Sequence, residues 1–209
     1  MAEISAQMVK ALREKTGAGM MECKKALVEA NGNPAEAEVI LRKKGIAAAD
    51  KKATRAARQG TIGIYVHPGS QLGVLVEVNC ETDFVARTDS FQELVRDIAM
   101  QIAAADPRYL RRDEVPSGLV DKEKEIARDR AINEKKPEKA IDKIVEGRLN
   151  KFYEENCLME QPFVKDNAVT IEQLIKAQIA ALQENIAVAR FARFKVGETM
   201  AAVEPSPGN

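Results

Sequence analysis

The chain carries one histidine, His67, and three cysteines, Cys23, Cys80 and Cys157. Acid–base, nucleophilic and metal chemistry are most often built on these residue types, so they come first. A catalytic triad or a histidine-based metal site needs His67 beside other reactive groups. In "YVHPGSQ" its neighbours are turn-formers, and it reads as a polar turn residue. Cys80 follows an apolar run, where a nucleophile is conceivable. Activation of a thiol needs a nearby histidine or positive charge, and "NCETD" supplies no histidine. A half-buried structural thiol is the better reading. The three cysteines have no metal or redox spacing, and an odd, sparse set suits a reducing cytosol. Carboxylates are plentiful, but in runs such as "DKEKEIARDR" they read as solvated helix faces. There is neither a phosphate-binding G-x-x-x-x-G-K-[ST] loop nor a G-x-G-x-x-G turn. Nothing here assembles a catalytic constellation.

One stretch calls for a different kind of chemistry. In "NCETDFVARTDSF", Phe84 sits among acidic and polar residues, after a strand-like run and before a well-capped helix. A hydrophobic staple would require it immediately before the cap. The candidate caps, Thr88, Asp89 and Ser90, all lie too late for that. Two readings stay open. Phe84 folds back onto the core, or it is an exposed wedge at a loop tip, where a rigid scaffold tends to place function. Beside it, Asp83 offers a carboxylate that could compete for groups coordinating a partner's metal or phosphate.

The elements that must hold these residues are legible from pattern. With 209 residues the chain can bury one substantial core and a small satellite. Lys plus Arg and Asp plus Glu balance at 32 each, so no global field draws it to nucleic acid or membrane. No apolar run reaches membrane-span length, and "MAEISAQMVKALREKT" reads at once as an amphipathic helix rather than a targeting segment. Residues 1–45 read as a three-helix unit. Ser5 caps the first helix with Ile4 and Val9 as a staple, and "TGAG" breaks it. The second helix runs from about Met21 to Ala30, and Asn33–Pro34 opens a third that Gly45 ends. Residues 46–59 are Ala-rich and basic, a solvated helical linker or, through Lys51, Lys52, Arg55 and Arg58, an RNA-contacting arm.

Residues 60–198 read as an α+β core. "TIGIYVH" and "LGVLVEVNC" flank the turn "PGSQ" as a β-hairpin, with Ile62, Ile64 and Val66 on one face and Leu72, Val74, Val76 and Val78 on one face. A third strand is predicted over Ile186–Val196. Between them lies a helix with Phe91, Leu94, Val95, Ile98 and Ile102 on one stripe, opened by a Ser90–Glu93 capping box. Charge-rich helices follow over Leu119–Asn133 and Pro137–Asn156. Thr170 and Gln173 open another, striped by Ile171, Leu174, Ile175 and Leu182. The fold class is α+β: three helices, then a three-stranded antiparallel sheet packed by helices on one face. The other face of the sheet is free for a partner or a second copy. Residues 199–209 are expected to be a flexible tail.

"LREKTGAGMMECKKAL" (Leu12–Leu27) and "EVNCETDFVAR" (Glu77–Arg87) strongly resemble the elongation factor Ts family, and "ARFKVGE" (Ala192–Glu198) resembles the end of that family's core. The resemblance spans about residues 1–198. It implies a cytoplasmic guanine nucleotide exchange factor for elongation factor Tu, with no catalytic chemistry, cofactor or metal of its own. The N-terminal unit would be a ubiquitin-associated-like docking domain. Met20 and Met21, which by spacing alone read equally well as core, would form part of a pocket for a partner side chain. Thr82, Asp83, Phe84 and Val85 would disturb the magnesium site of the partner–GDP complex. The chain resembles a short form, without room for the second half-core and the coiled-coil insertion of long members, or for their C-terminal module. A second copy would then supply the missing half, giving a two-plus-two complex with the partner. Three rivals rest on other residues: an adaptor acting through the three helices alone, an RNA-binding factor using the basic arm, and an enzyme using Cys80.

Overall fold

Local capping chemistry decides where the first helices begin. The structure, a computed structural model, describes residues 4–198. The Ser5 hydroxyl accepts from the Met8 N–H at 3.2 Å and opens α1 (Ala6–Thr16). Gly17 closes α1 in the left-handed region at φ 67°, a conformation that favours glycine. α2 spans Met20–Glu29. Asn33 caps α3 by accepting from Ala35 and Glu36 N–H groups at 3.0 and 3.4 Å, with Pro34 as the first helical residue. Val9, Leu12, Cys23, Ala26, Leu27, Ala30, Ala37 and Leu41 form the core of this bundle, and Ile4 packs against it.

The expected stop at Gly45 does not occur, because α3 runs on from Pro34 to Lys52. Glycine signals a helix end when the chain must turn left-handed. Gly45 instead makes room: a Cβ there would lie 3.2 Å from the Ala180 Cβ.

β1 (Gln59–Val66) and β2 (Leu72–Cys80) form the hairpin, and β5 (Ile186–Lys195) is the third strand, giving an antiparallel sheet in the order β1-β2-β5. Together with the helices this makes the described chain α+β. The two hairpin sets face opposite ways. Val74, Val76 and Val78 are buried, whereas Ile62, Ile64 and Val66 are exposed. The short α4 (Asp83–Ala86) follows β2, and α5 (Asp89–Ala105) buries Phe91, Leu94, Val95, Ile98 and Ile102 as its pattern predicts. Its cap is Thr88, whose hydroxyl accepts from the Phe91 N–H at 3.4 Å, rather than Ser90.

The described residues divide into two units. One holds the chain up to Ile62 with Glu77–Val95 and Gln173–Ala189. It contains the bundle, the 80–88 region and most of α8 (Ile171–Leu182), whose Ile175 and Ile179 are buried. The other holds Gly63–Val76, Arg96–Glu172 and the described residues from Arg190 onward. Here α6 (Ser117–Asn133) and α7 (Glu138–Asn156) pack on each other through Ala127, Val145 and Leu149. Both helices stand where the pattern predicts them, and they pack on each other as a pair. Its seam is narrow and set in charge-rich sequence, so the pattern reads as two solvated helices. A second feature absent from the pattern is the small antiparallel hairpin of β3 (Pro162–Phe163) and β4 (Asp166–Thr170). Buried Gln101 explains its placement: the Gln101 amide accepts from the Val164 N–H at 2.9 Å and donates to the Pro162 carbonyl at 3.2 Å. A buried amide needs such partners, and it finds them on β3 and the residue after it.

Candidate functional site

β2 ends at Cys80, which is buried. Its thiol donates to the Thr82 carbonyl at 3.1 Å. Burial pushes this thiol up, and the neighbouring Glu184 carboxylate pushes it further. Both effects oppose thiolate formation, so the environment is that of a structural thiol and not of an activated nucleophile.

Thr82 is then extended (φ −124°, ψ 155°) and caps α4, its hydroxyl accepting from the Val85 N–H at 3.4 Å. A single helical turn is not stable by itself, since nucleation fixes several dihedrals for one hydrogen bond. Side chains from α5 and its cap hold this one in place. The Thr88 hydroxyl donates to the Val85 carbonyl at 2.8 Å, and the Gln92 amide donates to the Ala86 carbonyl at 2.6 Å and to the Thr61 hydroxyl at 3.1 Å. Ala86 is buried and Val85 half-buried. Asp83 pairs with Arg87 at 3.0 Å on the surface, an interaction of little energetic weight.

Phe84 is left out of all this and is 81% exposed. The core-packing reading is thereby excluded. Its ring stands in water on a fixed backbone turn.

Met20 and Met21 open α2 just after the "TGAG" turn and are 46% and 64% exposed. Both lie outside the bundle core, so core packing is excluded for them as well. The turn beneath them is tied down by the buried Cys23, whose thiol donates to the Ala18 carbonyl at 3.6 Å, and by Thr16, whose hydroxyl donates to the Leu12 carbonyl at 2.7 Å. Exposed methionines on a fixed turn suit contact with another protein's side chains.

The other candidates fall into place as structure. His67 lies in the hairpin turn, hydrogen-bonded to the Tyr65 hydroxyl at 3.0 Å. Among the described residues no three His, Cys, Asp or Glu side chains gather into a possible metal site, and no helix is long and apolar enough to cross a membrane. The basic stretch is not uniformly solvated. Lys51, Arg55 and Arg58 are exposed, but Lys52 is only 8% exposed and donates to the Gln183 amide oxygen at 2.8 Å. Burial pushes its ammonium below the usual lysine range, and the Arg55 charge adds to that. Sequence reasoning missed Gln92 and Lys52 as supporting residues. Lys52 has no local signal, since its partner Gln183 lies in a distant segment, and Gln92 joins the nearby Ala86 to the more remote Thr61.

Phe84 is thus an exposed aromatic on a braced loop, and Met20 and Met21 are exposed side chains on a braced turn. The comparisons with known proteins show the family. The family model described as elongation factor Ts matches residues 46–198. A protein named elongation factor Ts from Solibacter usitatus is 66% identical over 95% of this chain and 93% of its own length. Proteins of the same name from Anaeromyxobacter sp. (strain Fw109-5) and Heliobacterium modesticaldum are 60% and 57% identical over 95% of this chain, covering 90% and 92% of their own lengths. The chain belongs to the elongation factor Ts family and is a translation elongation factor of that family.

Proposed function

We propose that this protein binds elongation factor Tu in its GDP-bound form and promotes exchange of GDP for GTP. Thr82, Asp83, Phe84 and Val85 approach the partner's magnesium and phosphate site. Phe84 enters as an apolar wedge, and Asp83 competes for groups that hold the metal. Met20 and Met21 form part of a pocket for a partner side chain, on a ubiquitin-associated-like docking domain over residues 1–45. Residues 46–59, which include the end of α3, lead from it into the core over 60–198. No acid, base or cofactor is required of this chain. Exchange is a coupling between two binding events, and whatever factor weakens GDP when this protein binds, GDP returns to this protein. The reaction belongs to the cytoplasm and involves neither membrane nor direct nucleic-acid contact.

The observation that carries this reading is the 81% exposure of Phe84 on a backbone turn that neighbouring side chains hold in place. The test is release of a fluorescent GDP analogue from elongation factor Tu, with the unaltered chain and with Phe84→Ala. Acceleration that the substitution slows is the expected result. No acceleration by the unaltered chain overturns the proposal and brings the adaptor reading forward.

The same reading includes a homodimer and a two-plus-two complex. It is favoured by Ile64, Val66 and Leu75, which are 67%, 56% and 44% exposed on their strands. Apolar side chains left in water along a sheet mark a surface for association.

A further inference from the structure

The base of the 82–85 turn is gripped by residues that are remote in sequence. Glu184, between α8 and β5, accepts from the Thr82 N–H at 3.0 Å and from the Thr82 hydroxyl at 2.6 Å. In the reverse direction, Glu81 accepts from the Asn185 N–H at 2.7 Å. Two adjacent pairs, 81–82 and 184–185, thus exchange carboxylate hydrogen bonds. Asn185 is 5% exposed, and its amide donates to the Arg55 carbonyl at 2.7 Å and the Ala53 carbonyl at 3.4 Å. Arg55 returns a guanidinium contact to Glu81 at 3.5 Å.

We propose that Glu184 is a positioning residue for Phe84. This rests on the exchange reading above. The Thr82 hydroxyl has one proton, and it goes to Glu184; its lone pair is then directed to the Val85 N–H. Donation to a carboxylate fixes the hydroxyl's rotamer and strengthens it as an acceptor. The cap that starts α4 is thereby oriented by a side chain outside α4. A wedge held in one geometry before contact loses less conformational freedom on binding. The end of the basic stretch, through the Ala53 and Arg55 carbonyls and the Arg55 guanidinium, belongs to the same clasp, so its role at these residues is to brace the turn.

Glu184→Ala and Glu184→Gln in the full chain test this, with two readouts. Amide hydrogen exchange at residues 82–86 should quicken in Glu184→Ala while amides of β2 and the melting temperature hold. The maximal rate of GDP-analogue release should fall about tenfold, the scale of one charge-assisted hydrogen bond, with the half-saturating concentration unchanged. Glu184→Gln keeps the volume and one acceptor oxygen, so its rate should fall less. In a Phe84→Ala background, Glu184→Ala should slow release far less than in the unaltered chain, because it acts chiefly through Phe84. Unchanged protection at residues 82–86 overturns the clasp whatever the kinetics. A loss that sits in half-saturation, that adds in full to Phe84→Ala, or that is as large in Glu184→Gln overturns the positioning role while leaving the exchange function standing. If the unaltered chain fails to accelerate release, the exchange reading falls and Glu184 has no such role in it.

Discussion

Phe84 and Cys157 mark opposite ends of what a side chain does here. Phe84 contributes almost no burial to the fold, so Phe84→Ala should leave the melting temperature within about a degree of the unaltered chain, as surface substitutions do. Its effect should appear only against the partner. An aromatic anchor at the centre of an interface contributes about 2–4 kcal/mol, so nucleotide release should slow by roughly thirtyfold or more. A melting curve beside a release assay separates the two. Cys157 is wholly buried, and burial, helped by the Glu160 charge and partly offset by Arg112, pushes its thiol up to about 11 from 9.0. The folded chain therefore holds this proton more tightly than the unfolded one. The stabilisation is fully present below pH 9.0 and is lost as pH rises through about 11. Chemical denaturation across that window should show a steeper loss in the unaltered chain than in Cys157→Ala, which has no proton to lose.

At the scale of elements, Gly45 shows how one residue joins two helices. Inside α3 it forgoes about 1 kcal/mol of helix propensity relative to alanine. In return α8 comes close enough that Ala180 stands 3.2 Å from the missing Cβ. Gly45→Val adds branched volume where there is none to spare. It should destabilise the chain by about 1–3 kcal/mol, the range for overpacking, read as a lower denaturation midpoint at unchanged slope. The same junction holds Lys52 against Gln183 and Lys176 against Asp50 at 3.0 Å. Together they explain why the end of α3 is not a free spacer. The α6–α7 pair is held more thinly, by a seam of small and medium apolar residues and by the Arg128–Asp142 pair at 2.9 Å. Thin seams open first, so its amides should exchange faster than those of β2.

At the scale of the whole molecule the proposed association would use the open strand faces. If a second copy covers Ile64, sedimentation at tens of micromolar should give a dimer, and the melting temperature should rise with protein concentration. Ile64→Lys should return the protein to monomer with little change in its dilute-solution stability, because the side chain is 67% exposed. A monomer for the unaltered chain at that concentration would count against the two-plus-two complex. The balance of 32 basic and 32 acidic residues leaves such association without strong net repulsion.

What the sequence determined by itself was local. Ser5 and Asn33 as caps, the alternation through Val74, Val76 and Val78, the stripe from Phe91 to Ile102 and the third strand from Ile186 all show as patterns within a few residues. They could be read before any fold was known. The motif around Phe84 was legible too, but not whether its ring was buried, because burial depends on what else arrives there. Only tertiary structure decided that Phe84, Met20 and Met21 face water, that Gly45 continues a helix, that Lys52 is buried, and that α6 and α7 find each other. The clasp of Glu184 on Thr82 joins residues 102 positions apart. A carboxylate in a solvated-looking run carries no mark of the hydroxyl it will meet, since nothing in local propensity or periodicity reaches that far.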